Sequence, residues 1–243
     1  MRYIKIEDLL VFRSRWGQGD TLWKNSVLKK DFRDFFHNKC WYTEVLLVGQ
    51  DVHIDHFRPK AAVKPFENFK YNFLIQDKGY YWLANDPSNY RACCIYANRK
   101  TGGGGKGNYF PLADDGVYQS EKDENNEHPM LLDPCVAEDV KLLSFLGNRV
   151  VPATDDELGK ERVRVSAFIY NLTDAYISNE RGKIWASIEQ LLTEFDSGDI
   201  SKSSCIRQLR DAISPKAPFS ACAIACVNSL APDEIKSELD LIL

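Results

Sequence analysis

Residues 51–60 read DVHIDHFRPK, and they set two of the chain's four histidines three positions apart around an aspartate. If the stretch is a strand, its side chains alternate faces, so His53 and Asp55 share one side and His56 points to the other. A buried strand has little use for His-x-Asp-His, because each ionisable group must be paired or left in water. The stretch is therefore either a solvated strand end or a site.

The rest of the chain bounds the choice. With 243 residues, 44% of them hydrophobic and 12% aromatic, it can bury a real core in one large domain or two small ones. No apolar run reaches the roughly 18 residues of a membrane span, so no membrane segment is expected. The start, MRYIKIEDLL, carries early acids and lacks the apolar centre of a signal peptide. Seven cysteines scattered over a long chain argue against a secreted disulfide framework. The expected location is the cytoplasm.

A net charge of −4 would by itself argue against a nucleic-acid binder, but the charge is unevenly spread. Residues 53–110 hold nine Lys or Arg against four acids, whereas residues 111–243 hold thirteen against twenty-four. A basic segment that coincides with His-x-Asp-His suggests a polyanionic substrate there; a solvated face with chance asymmetry is the plainer alternative.

Around this stretch, TLWKNSVLKKDFRDFFHNK places Val27, Leu28, Phe32, Phe35 and Phe36 at helical spacing, with Thr21 read as the N-cap. Cys40 to Val48 and Val52 to Phe57 read as two short extended pieces. Arg58 to Ser88 is a long irregular span, aromatic and basic, of a length more often functional than idle. It could stack bases or fold onto the core. NYRACCIYANRK reads as a short helix from Asn89 or Tyr90, and TGGGGKGN as a flexible connector. That run is not a phosphate-binding P-loop, since Lys106 is followed by glycine and no strand precedes it; it reads as a hinge, with contact of its backbone and Lys106 to a substrate phosphate as the alternative. Residues 111–135 read as loops and short strands. From Asp155 the pattern is helical: one long run to Phe195, a shorter helix near 202–213, and two more after Pro218. Cys222 and Cys226 lie on a small-residue face that suits core packing.

The order Asp55-His56, then Asn89, then Asn98 nine residues later resembles the HNH nucleases, carried here by HIDHFRPK and NDPSNYRACCIYANRK. The resemblance implies a ββα-metal core within an α+β, mostly helical fold, with a helical segment at 1–39, the core at 40–110, a connector at 111–154 and a helical region at 155–243. It implies that Asp55 and the amide oxygen of Asn98 hold Mg²⁺ or Mn²⁺, which needs only one or two protein oxygens. His56 would take the proton of the attacking water, and Asn89 or a backbone carbonyl in its loop would fix its tautomer. His53 would be either a further metal or phosphate ligand or a polar residue packed against the loop. Arg58, Lys60, Arg99 and Lys100 are the expected substrate contacts.

Many HNH proteins carry two Cys-x-x-Cys pairs on a structural zinc. Here the positions read Cys40-Trp41-Tyr42-Thr43 and Cys94-Ile95-Tyr96-Ala97. Two thiolates do not close a tetrahedral site, so no structural zinc is expected, and Trp41, Tyr42 and Tyr96 would hold the helix by packing.

HIDHFRPK, YYWLANDPSNY, HPMLLDPC and the helical tail together resemble the PtuB-type HNH nucleases of Septu and retron-associated anti-phage systems. That family implies a PtuA-type ATPase partner, a retron reverse transcriptase with its RNA–DNA in some systems, and a DNA or tRNA substrate. The acidic helical region suits docking on a partner or buttressing the core. A catalytically idle HNH-like adaptor is the competing expectation, and the presence of Asp55, His56 and Asn98 together weighs against it.

Overall fold

The computed structural model describes residues 1–64, 78–99, 104–113 and 127–240. The fold is α+β and mostly helical, with two small antiparallel sheets. Among the described residues no helix is long and apolar enough to cross a membrane.

The N-terminal part carries α1 (Ile6–Leu10) and α2 (Ser26–Phe35). Helix α2 starts four residues later than the sequence suggests. Asn25, not Thr21, caps it, accepting the Leu28 N–H at 3.0 Å, while Leu22–Lys24 forms a separate 3₁₀ turn. Its buried face is Leu28 and Phe32, and Phe32 stacks on Trp41 at 5.4 Å. Cys40 to Val48 is not an extended piece. Residues 41–43 turn, and only Lys39 and Leu46 bridge.

Strand β1 (His53–His56) pairs antiparallel with β2 (Tyr90–Cys93), Asp55 opposite Arg91 and His56 opposite Tyr90. The NYRACCIYAN stretch is thus strand first and helix second: α3 is only Ile95–Asn98. The apolar residues of YRACC that look helical are instead buried on both sides of a short strand, a case in which periodicity alone cannot decide.

After Asp133 come α4 (Ala137–Lys141) and a hairpin of β3 (Leu143–Leu146) with β4 (Arg149–Pro152). The long helical run is two helices, α5 (Glu157–Ile169) and α6 (Ala175–Asp196). They part at Asn171, which takes φ +56°, and Asp174 caps α6 through the Tyr176 and Ile177 N–H groups. Helices α7 (Lys202–Ile213), α8 (Ser220–Leu230) and α9 (Asp233–Glu238) follow as expected, and α8 packs on α6, α7 and β3. Cys222 and Cys226 are buried in that packing.

The segment HPMLLDPC joins the two halves. Ser166 Oγ on α5 receives the Leu132 N–H, Tyr170 Oη donates to the Leu132 carbonyl, and Arg162 reaches the Pro129 and Leu131 carbonyls. On its other side Asp133 takes the Arg91 guanidinium in two bonds of 2.7 and 2.5 Å, both residues buried. The strand pair and the helices are therefore held against one another through this strip.

Candidate functional site

Strand alternation sends Asp55 and His56 to different surroundings, as their order in the sequence requires. The His56 ring stands edge-on to Tyr90 at 5.0 Å and to Trp23 at 5.1 Å. Its Nε2 lies 3.0 Å from the Ala84 carbonyl, which also receives the Tyr90 hydroxyl at 2.6 Å. A carbonyl only accepts, so Nε2 carries the hydrogen and Nδ1 keeps a lone pair. His56 is 7% exposed, and burial holds its pKa down at about 4, so it is neutral at neutral pH. The half-buried Lys60 sits above the face of Trp23, its ammonium 4.7 Å from the ring centre, and makes no ion pair among the described residues.

Asn89 closes the 3₁₀ turn Pro87–Asn89, directly before β2 rather than before a helix. Its amide binds the backbone of Arg58 twice: Oδ1 accepts the Arg58 N–H at 2.8 Å, and Nδ2 donates to the Arg58 carbonyl at 2.9 Å. Phe57 N–H donates to the Asn89 carbonyl as well. Asn89 therefore fixes the backbone that leaves His56, while the tautomer is set by Ala84, a backbone carbonyl of the same loop.

Asp55 is 4% exposed. The Tyr42 hydroxyl donates to it at 2.7 Å, and the Lys106 ammonium lies 3.2 Å from its carboxylate. Burial pushes the Asp55 carboxyl up, against the pull of Lys106 and Tyr42. Tyr42 in turn stacks on Tyr170 at 4.0 Å.

Asn98 and His53 meet each other instead, Asn98 Nδ2 lying 3.4 Å from His53 Nδ1 on the α3 side of β1. Burial, then Lys29 and Arg99, keep the pKa of half-buried His53 below its usual value. Arg99 is exposed at the end of α3. Arg58 is committed to Glu127, Nε to Oε2 at 2.5 Å, and borders a cavity of about 510 Å³ with Met130 and Arg162. Lys100 lies outside the described residues, as do 65–77 of the long irregular span.

Among the described residues no three His, Cys, Asp or Glu group as metal ligands. An Mg²⁺ site needs fewer, so the decisive observation is on Asp55 itself. Its carboxylate is taken by an ammonium and a hydroxyl, and the Asn98 amide is turned to His53. As arranged, these residues do not fit a divalent ion.

Of the four positions that carry zinc thiolates in many HNH proteins, Cys40, Thr43 and Cys94 lie together. Thr43 Oγ1 is 3.8 Å from Cys94 Sγ, and the Thr43 N–H points at Cys40 Sγ at 3.5 Å. Burial alone would raise the Cys40 thiol, yet hydrogen bonds from Cys94 and Thr43 bring it down to about 6. Trp41 and Tyr42 pack as expected, but Tyr96 is 55% exposed and holds nothing by burial. Restoring the missing thiols by Thr43→Cys with Ala97→Cys is expected to create a zinc site. About one zinc per chain, by metal analysis after dialysis, with a raised melting temperature is the expected outcome. No retained zinc in a folded double variant would show that the four positions are not tetrahedrally disposed.

Two partners of the site carried little signal. Trp23 lies thirty-three positions before His56, on an ordinary amphipathic approach to α2. Lys106 was visible only as the one charged residue in a glycine run, which reads as a hinge. No family model matches this chain, and no curated protein does.

Proposed function

We propose that this chain is a nuclease of the HNH type, hydrolysing the phosphodiester bonds of DNA or tRNA as the effector of an anti-phage system under an ATPase partner. The observation that carries the reading is His56 itself. It is a neutral imidazole with its Nε2 hydrogen spent on Ala84, held between Trp23 and Tyr90 in the most basic part of the chain. Such a ring offers Nδ1 to the proton of an attacking water. Lys60 beside it would attract the phosphate and offset charge growing on its oxygens, and Arg99 would hold the strand further along. Asn89 keeps the backbone after His56 in place while the substrate binds. A catalytically idle adaptor is favoured by a different observation, the sealing of Asp55 by Lys106 and Tyr42.

The test is cleavage of plasmid DNA and total tRNA by the purified chain, with and without its ATPase, in Mg²⁺, Mn²⁺ or EDTA. Fragments that form with the native chain and not with a His56-substituted control support the nuclease and name its substrate. Intact nucleic acid in every arm, from a folded chain that still binds the ATPase, would replace this reading with the adaptor.

A further inference from the structure

The glycine run is the sequence feature that the catalytic reading leaves unused. Its described part, Gly104 to Gly107, is pinned rather than free. The Gly105 N–H donates to the Ile169 carbonyl at 3.0 Å, Lys106 N–H to Ala97 at 2.8 Å and Gly107 N–H to Asn98 at 2.7 Å. Tyr109 N–H closes the turn on the Lys106 carbonyl at 2.8 Å. The strap therefore runs between the last turn of α3 and the end of α5.

Glycine is required here at defined positions. A Cβ on Gly104 would stand 2.7 Å from the Phe168 carbonyl and run into the Asn171 amide. Gly105 and Gly107 take φ of +101° and +46°, a region that side chains disfavour. What this unusual backbone achieves is the position of one side chain. Lys106 passes wholly into the interior, 0% exposed, and ends between the Asp55 carboxylate at 3.2 Å and the His56 carbonyl at 2.7 Å.

A buried ammonium is costly unless its hydrogens and charge are met, and both are met here on β1. A buried carboxylate has the same need, and Lys106 with the Tyr42 hydroxyl supplies it. A second cation on Asp55 would lie only a few ångströms from that ammonium in a site shut to water, where like charges repel strongly.

We propose that the Lys106 ammonium is the resident cation of Asp55, set there by the glycine strap, and that it closes this carboxylate to divalent metal. Asp55 is then an anchor for β1, and any metal the chain uses binds elsewhere. The inference concerns the same residues as the nuclease reading but does not rest on it, because its test reads ion binding and lysine access whether or not nucleic acid is cut.

The experiment is acetylation of the folded native chain by an N-hydroxysuccinimide ester, followed residue by residue by mass spectrometry, without and with Mg²⁺ or Mn²⁺. Lys60 is the accessible reference, and Lys39, buried against Glu44, reports global opening. Lys106 is expected to react at least about tenfold more slowly than Lys60, at a rate the metals leave unchanged. Labelling of Lys106 as fast as Lys60 would overturn the proposal. So would a severalfold acceleration by metal with Lys39 unmoved, which would mean that the ion displaces the ammonium. In a parallel Mn²⁺ titration read by electron paramagnetic resonance, Asp55→Asn is expected to leave binding as in the native chain. Loss of a bound Mn²⁺ in a folded Asp55→Asn chain would equally overturn it.

Discussion

His56→Ala is expected to remove cleavage of the substrate that the native chain cuts, by about 10²- to 10⁴-fold in rate. The size follows from the proposed role of His56 as the proton acceptor for water. The neighbouring carboxylate cannot replace it, because Asp55 faces the other side of β1 and is taken by Lys106. Folding should survive the change, although the ring packs on Trp23 and Tyr90, and His56→Phe keeps that contact as a control. Both variants should lose the rate while keeping their circular dichroism. The pH profile adds a second readout. Burial sets the pKa near 4, below the ordinary histidine value, so the base stays unprotonated through neutral and mildly acid pH. The acid limb of kcat/KM is accordingly expected near pH 4, with the rate falling as pH falls through it. A limb near 6.5, or a His56→Phe variant as fast as the native chain, would remove His56 from the chemistry.

Arg91→Met is expected to cost about 3–5 kcal/mol of stability, because it leaves Asp133 charged and buried without its partner. The guanidinium also binds the Ser88 and Tyr90 carbonyls, so the loss reaches the turn that carries Asn89. Chemical denaturation with a tryptophan fluorescence readout measures the midpoint. Arg91→Met with Asp133→Leu should recover most of the loss, since a well-packed apolar pair can replace a buried ion pair at little cost. A double variant no more stable than the single one would mean that the carbonyl contacts, not the ion pair, hold the strip in place.

Much of this was legible in the chain. The strand at His53–His56, α7, α8 and α9 follow from alternation, helical spacing and Pro218. Asn89 and His56 stand out as polar residues at defined distances in a basic stretch. What escaped the sequence has a common cause. β2 looked helical because its residues are buried on both sides, so no polar face marks it. The long helical run hid the break at Asn171, since asparagine is unremarkable until its φ turns positive. Lys106 reads as part of a hinge or as a contact for a substrate phosphate, because nothing local says that a lysine has a carboxylate fifty-one residues back. Pairings of that kind are made by the fold.

The stack of Tyr42 on Tyr170 has a consequence for how the chain can be divided. One ring belongs to the turn that holds Asp55, the other caps α5, and both are fully buried. A fragment ending at residue 110 would present a bare aromatic surface, an Arg91 without Asp133 and a strap without the Ile169 carbonyl that seats it. The candidate site residues are therefore no cassette to be lifted onto another scaffold. Their geometry is a property of the whole polypeptide, and shuffling or grafting has to carry the α5 half along with them.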